Sequence, residues 1–151
     1  MMVALAGQKI TASMLNSLAP TGHASSGVNT TAGTTTSTSY TDTLSGTTSV
    51  SVAFIVPPSG KIAVTVFGST DNSADNYSVI SYRISGAAGT VAASDNWQTY
   101  FRNTNEGGVG RRSFQTGLTP GAAGTITMQH KVSGGTGTFN NREILWEPLP
   151  A

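Results

Sequence analysis

The sequence lacks cysteine and has little charge, and each shortage excludes a class of protein. Without cysteine the chain can form neither a disulfide framework nor a metal site with thiolate ligands. Charged residues make up only 10% of the chain, and the net charge is +1. No strong electrostatic field therefore directs the protein to nucleic acid or to an anionic membrane, and we expect neither partner.

Long apolar runs are also missing. No stretch approaches the roughly 18 apolar residues that a helix needs to cross a bilayer. The opening "MMVALAGQ" has no basic region, no long apolar run and no convincing cleavage site, so it does not read as a signal peptide. We expect a soluble protein without a signal peptide.

Glycine, serine and threonine are abundant, and they indicate an all-β protein. Threonine and valine favour strands, whereas glycine supplies the turns between them. The turn "LTPG" places Pro120 and Gly121 where a type II turn prefers these residues. Short segments alternate apolar and polar residues, as at Val50, Val52 and Phe54. We predict eight or nine short strands arranged as a sandwich or jelly roll.

One stretch, "GQKITASMLNSLAP" at residues 7–20, predicts a short helix. Ile10, Met14 and Leu18 recur at spacings of four, with Leu15 beside them, so that they form one apolar stripe. A helix of about two turns is not stable alone in water, because its nucleation is costly and few hydrogen bonds repay it. The stripe must therefore dock on a protein surface.

The composition divides the chain into three parts. We predict an N-terminal helical anchor arm over 1–20, a Ser/Thr-rich linker, flexible or extended, over 21–35, and a β-sandwich domain over 36–151. A helix docked on its own domain would need no polar tether. An apolar helix on a tether suits a groove in another protein, where burial of the stripe offsets the cost of ordering it.

No catalytic or metal-binding pattern is convincing. His130 lies among Ile126, Met128 and Val132 on one strand face, which favours a satisfied core histidine or a subunit contact over a catalytic residue. There is no "GxSxG" elbow, so we expect no enzyme and no cofactor.

The loop "DNSADN" resembles a calcium-binding loop in part. Asp71, Ser73 and Asp75 alternate as calcium-ligating oxygens do, but the sixth position is Asn76 and the twelfth is Tyr82. An EF-hand requires Gly and Glu at those positions, so the pattern fails. We predict no metal site and interpret the loop as a solvated hairpin connection, although binding of calcium there remains an open alternative.

Aromatic and basic residues in the second half raise two binding alternatives. In "NWQTYF", Trp97 and Tyr100 are candidates for stacking on a sugar, although alternation places Trp97 on the face opposite Tyr100. Arg111 and Arg112 are weak evidence for nucleic acid in a near-neutral chain. We expect them to keep a strand edge soluble or to pair with Glu106 or with a carboxylate of a neighbouring subunit.

The chain resembles small virion proteins of tailed phages and prophages of actinobacteria. The similarity covers nearly the whole chain, from the opening "ITA..LN.L" pattern to the closing "GLTPGAAGTITMQHKVSGGTGTFNNREILWEPL", which is its most specific part. The opening is similar to attachment segments at the start of many tail-fibre and tail-tip proteins. The resemblance implies a jelly-roll-like sandwich that assembles as a homotrimer on the tail or the capsid surface.

These observations predict a non-enzymatic structural protein of a phage virion, assembled in the host cytoplasm. Its arm would bind other virion proteins through Ile10, Met14, Leu15 and Leu18, and its β-domain would project outward. The alternative is an adhesin that binds host glycans, with Trp97 and Tyr100 as the ligand-binding residues.

Overall fold

The computed structural model describes residues 22–150. The helix predicted over 7–20, with Ile10, Met14, Leu15 and Leu18, lies outside these described residues, so its conformation and its docking partner stay predictions.

Residues 22–150 fold into nine strands and one 3-10 turn, Asp95–Trp97. The strands are β1 (Ala24–Ser25), β2 (Gly33–Thr35), β3 (Ser51–Ile55), β4 (Ile62–Asn72), β5 (Tyr77–Gly86), β6 (Thr99–Arg102), β7 (Gly107–Gln115), β8 (Ala123–Val132) and β9 (Gly137–Pro148). The predicted all-β class and the predicted number of strands are confirmed.

The strands form two antiparallel sheets. In the five-stranded sheet β9 pairs with β1 and β2 on one side and with β4 on the other, and β4 pairs with β7. The second sheet has the order β3, β8, β5, β6. The chain passes repeatedly from one sheet to the other, and strands distant in sequence become neighbours. This connectivity is that of a jelly-roll sandwich, and it confirms the predicted fold.

The core lies between the sheets and follows the period-two pattern of the sequence. On β4 the inward side chains of Ile62, Val64 and Val66 are buried completely. On β8 the corresponding side chains are Ile126 and Met128. Each such side chain contributes about 1.5 to 3 kcal/mol by leaving water, and this burial fixes which side of every strand faces outward.

A β-bulge in β9 reverses the alternation within that strand. The pairing of β4 with β9 shifts register between Phe67 and Ser69, and Asn141 takes a positive φ of 48° at the bulge. Asparagine tolerates this conformation better than most residues. Phe139 therefore faces the core before the bulge, and Arg142 faces it afterwards.

The structure differs from the predicted linker over 21–35. Residues 24–25 and 33–35 are strands paired with β9, so the described part of this segment belongs to the β-domain. Arg142 holds the segment as well, because its Nη2 donates to the carbonyl of Thr31 at 3.2 Å and to Oγ1 of Thr47 at 2.7 Å. A Ser/Thr-rich composition conceals such pairing, which depends on backbone hydrogen bonds rather than on apolar side chains.

Candidate functional site

A groove lies on the outward face of the four-stranded sheet. Alternation in the strands points Tyr77 and Val79 of β5 away from the core, and the same holds for Tyr100 of β6 and Lys131 of β8. Val79 is paired with both Tyr100 and Lys131, so these three residues cross the sheet in one row. The groove has a volume of about 390 Å³. We call it the tyrosine groove. Its lining includes Thr38, Tyr77, Val79, Asp95, Gln98, Tyr100 and Lys131.

One wall of the tyrosine groove is aromatic. Tyr77 and Tyr100 meet edge to face with ring centroids 5.0 Å apart and an interplanar angle of 82°. Tyr100 remains 53% exposed. Arg102 lies over the Tyr77 ring at 5.5 Å and forms an ion pair with Asp75 at 3.1 Å, which holds the wall from its outer side.

The opposite wall is a polar network around Asp95. Its Oδ1 accepts from Lys131 Nζ and from the Tyr40 hydroxyl, both at 2.6 Å. The hydrogen bond from Lys131, with a further one from Tyr40, lowers the pKa of Asp95. Burial, and then the bond to Asp95, raises the pKa of Tyr40. Asp95 is therefore ionised and Tyr40 protonated at neutral pH.

The structure separates the two predicted ligand-binding residues. Tyr100 lines the groove, whereas Trp97 lies in the 3-10 turn and packs towards the core, 6.0 Å from the Tyr82 ring. The indole Nε1 of Trp97 donates to the carbonyl of Tyr82 at 3.2 Å. Sequence analysis missed Asp95 and Lys131, although the outward alternation of Tyr77 and Val79 marks the same face of the sheet.

The outward face of the five-stranded sheet is different in character. Phe114 of β7 is 62% exposed, and Phe67 and Leu145 are partly exposed on the same side. Gly108 and Gly110 leave the neighbouring part of β7 without side chains on this face. We call this surface the Phe114 face, defined by Phe67, Gly108, Gly110, Phe114 and Leu145.

Two charges on the Phe114 face, those of Arg112 and Glu147, are paired within the chain. Arg112 forms an ion pair with Glu147 at 2.7 Å, and its guanidinium lies 5.7 Å from the centre of the Phe114 ring. Glu143 accepts a hydrogen bond from the Ser25 hydroxyl. The face therefore presents an apolar surface beside one compensated ion pair.

Arg111 connects the two sheets at one edge of the sandwich. Its guanidinium donates to the carbonyls of Asn96 at 2.6 Å and Gln98 at 2.9 Å. These contacts fix the loop that carries one end of the tyrosine groove. Arg111 and Arg112 thus have partners inside the chain, and the pairing expected with Glu106 is not the one that forms.

Two basic side chains are buried between the sheets. His130 packs edge to face on Phe139 at 4.8 Å, and burial, together with the charge of Arg142, lowers the pKa of His130 to about 3. Within residues 22–150 neither ring nitrogen has a hydrogen-bond partner. The expected core position of His130 is confirmed, but the expected hydrogen-bond satisfaction is not found.

The loop "DNSADN" is held by hydrogen bonds of its own. Asn72 Nδ2 donates to Ser78 Oγ at 3.2 Å and to the carbonyl of Gly134 at 3.1 Å, and Ser73 Oγ accepts from the Thr136 amide at 2.9 Å. Across residues 22–150, no group of three or more His, Cys, Asp or Glu side chains is arranged to hold a metal ion. The loop therefore fastens one end of the sandwich.

An apolar pocket lies where the described part of the chain begins. It has a volume of about 670 Å³, and Gly22, Ile55, Ala123 and Trp146 are among its lining residues. Ile55 is exposed on the outward side of β3. This pocket is well separated along β8 from the tyrosine groove, because Ile55 pairs with Ala123 whereas the groove contains Lys131.

The fold places the domain among jelly-roll sandwiches. A search of solved structures finds the Eiger TNF from S. frugiperda at a TM-score of 0.54, with 10% identity over 86% of this chain and 93% of that chain. This likeness shows the fold alone.

Two viral proteins match more loosely. Infectious bursal disease virus, Gx strain, matches at a TM-score of 0.39 with 10% identity over 79% of this chain and 34% of that chain. The enzymatically active domain of tailspike protein 4 of bacteriophage CBA120 matches at 0.35 with 14% identity over 77% of this chain and 19% of that chain. No family model and no curated protein matches the sequence.

A search of residues 22–150 for membrane-spanning helices finds none of sufficient length and apolar character.

Proposed function

We propose that the protein is a non-enzymatic structural component of a phage virion. In this proposal the N-terminal arm anchors the chain to another virion protein, and a homotrimeric jelly-roll domain projects from the tail or the capsid surface. The sequence resemblance at both ends of the chain supports the assignment, and the closing motif forms β8 and β9, which are interior strands of the two sheets.

The observation that carries the proposal is the Phe114 face. A large aromatic side chain that is 62% exposed, on an edge strand whose outward positions 108 and 110 are glycine, favours a protein contact over exposure to water. Gly108 and Gly110 allow another chain to approach the backbone closely. Because Arg112 is already paired with Glu147, a second copy can cover these two side chains without leaving either charge uncompensated.

The arm supplies attachment in this proposal. Its apolar stripe, Ile10, Met14, Leu15 and Leu18, would occupy a groove of a partner, and three arms on one trimer would bind with avidity. The assembly would form in the host cytoplasm before incorporation into the particle.

The test is the oligomeric state of the full chain by light scattering at micromolar concentration. We expect a trimer for the wild type and a monomer for Phe114→Asp, because a charge on this face carries a desolvation cost when the face is buried. The matched control is Tyr100→Asp, an aromatic position that is 53% exposed on the other sheet, which should remain trimeric. A monomeric wild type, or a trimeric Phe114→Asp protein, would contradict the proposed assembly.

A further inference from the structure

The geometry points to the tyrosine groove as a binding site for a neutral saccharide. This inference goes beyond the structural role, and it relocates the sugar-binding alternative from Trp97 and Tyr100 to a site built by Tyr77, Asp95, Gln98 and Tyr100. It is independent of whether the domain forms trimers.

The first requirement of a sugar site is an exposed aromatic surface beside a concave floor. The edge-to-face packing of Tyr77 on Tyr100 restricts both rings, so that little conformational entropy is lost when a ligand packs against them. The C–H groups of a pyranose are apolar and pack on such a surface. The volume of about 390 Å³ lies at the lower end of the range for small-molecule sites, which suits one or two sugar units.

The second requirement is a fixed pair of polar groups with free capacity. Asp95 Oδ1 is occupied by Lys131 and Tyr40, but within residues 22–150 Asp95 Oδ2 accepts no hydrogen bond. In the same range Gln98 Oε1 lies 3.1 Å from the Tyr40 hydroxyl, whereas Gln98 Nε2 has no partner. An acceptor and a donor are thus available in one wall, and vicinal sugar hydroxyls, which both donate and accept, match them.

The third observation concerns charge. Lys131 compensates Asp95 at 2.6 Å, and Asp75 compensates Arg102 at 3.1 Å. Among residues 22–150, each cation at the groove already has a carboxylate partner, so a phosphate or a sugar carboxylate would meet no uncompensated cation there and would face the carboxylate of Asp95. The pairing therefore selects neutral sugars over acidic ones.

The test uses the full chain and a panel of methyl glycosides of galactose, mannose, N-acetylglucosamine and arabinose, followed by saturation-transfer NMR and chemical-shift titration. We expect at least one glycoside to bind, with shifts in the ring protons of Tyr77 and Tyr100. Tyr100→Ala and Gln98→Ala should each weaken that binding at least tenfold. Ile55→Ala, which shortens an exposed apolar side chain on the outward side of the same sheet, should leave it unchanged.

Three results would overturn the inference. They are an absence of binding across the panel, binding that survives both Tyr100→Ala and Gln98→Ala in folded proteins, and a preference for sialic acid or sugar phosphates over the neutral glycosides. A structure of the particle in which another protein chain covers the groove would assign the site to a protein contact instead.

Discussion

The two outward faces of the sandwich differ in the side chains that surround their exposed aromatic residue. Each exposes an aromatic residue, Phe114 on one sheet and Tyr100 on the other. Around Phe114 the neighbours are glycines and an internally paired arginine, which leave a surface suited to a protein contact. Around Tyr100 a network of Asp95 and Lys131 lines a concave groove, which suits a small polar ligand. The contrast shows that exposure alone does not distinguish an assembly surface from a binding site, whereas the polar surroundings do.

The largest expected effect comes from substitutions in the predicted N-terminal arm rather than on either face. Changing Leu15 and Leu18 together to Asp should abolish incorporation into virions while leaving the folded trimer intact. Burial of three or four aliphatic side chains is worth about 1.5 to 3 kcal/mol each before ordering costs, and charges on the stripe replace this gain with a desolvation penalty. Avidity multiplies the loss across three arms.

Mass spectrometry of purified virions measures that incorporation. The matched control is a change of Ser13 and Asn16 to Asp, which adds the same charge outside the apolar stripe and should leave the copy number unchanged. Wild-type copy number for the Leu15 and Leu18 variant would mean that the arm docks elsewhere, for example on the apolar pocket beside Gly22 of its own domain.

Acid should destabilise the whole sandwich, and with it both faces, because His130 lies in the core between the two sheets. Its pKa is lowered to about 3 in the folded protein, against about 6.5 in the unfolded chain, so the unfolded state binds the extra proton between these values. Stability is therefore fully present above pH 6.5 and falls as the pH drops towards 3. At pH 5 the loss is about 2 kcal/mol.

Urea titrations from pH 8 to pH 4.5 measure this loss. The control is His130→Met, which keeps an apolar side chain of similar size and should remove most of the slope. Below about pH 4, Asp42 and Asp95, whose pKa values are lowered by Arg83 and Lys131, add a further loss in both proteins. Equal slopes for the two proteins above pH 4.5 would contradict the role of His130.

The smallest effects come from adjacent arginines that serve different faces. Arg111→Ala removes two hydrogen bonds to the carbonyls of Asn96 and Gln98, so it should weaken saccharide binding severalfold and leave the oligomer unchanged. Arg112→Ala breaks the exposed pair with Glu147, so it should weaken the trimer and leave saccharide binding unchanged. Each change should alter the free energy of unfolding by no more than about 1 kcal/mol, because both side chains are largely in water.

Parallel NMR titration and light scattering of the two variants check this division. If either variant impairs both properties equally, the two faces are not independent.

Much of the fold was accessible from the sequence because strand periodicity reports burial directly. The alternation at Val50, Val52 and Phe54 predicts their burial, and all three side chains lie in the core. The bulge was not accessible, because its position opposite Gly68 is set by the register of β4 and β9. A Cβ at Gly68 would lie 3.0 Å from Ile80 Cδ1 and 3.2 Å from the Asn140 carbonyl.

The site was only partly accessible. The alternation predicted that Trp97 and Tyr100 lie on opposite faces, and the structure leaves Tyr100 exposed while Trp97 packs towards the core. The partners of Tyr100 could not be predicted, because Asp95 and Lys131 are 36 residues apart and meet only through the pairing of β5 and β8. The linker was misjudged for a related reason, since hydrogen bonds from β9 order residues 24–35 without any apolar pattern.

A density map of intact virions at side-chain resolution tests the central claim most directly. The account predicts three copies around a threefold axis, with each Phe114 face buried against a neighbouring copy and each tyrosine groove open to solvent. It also predicts that the stripe of Ile10, Met14, Leu15 and Leu18 is seated in another virion protein. A map in which Phe114 faces solvent and Tyr100 is buried between copies, or virions that lack the chain, would contradict it.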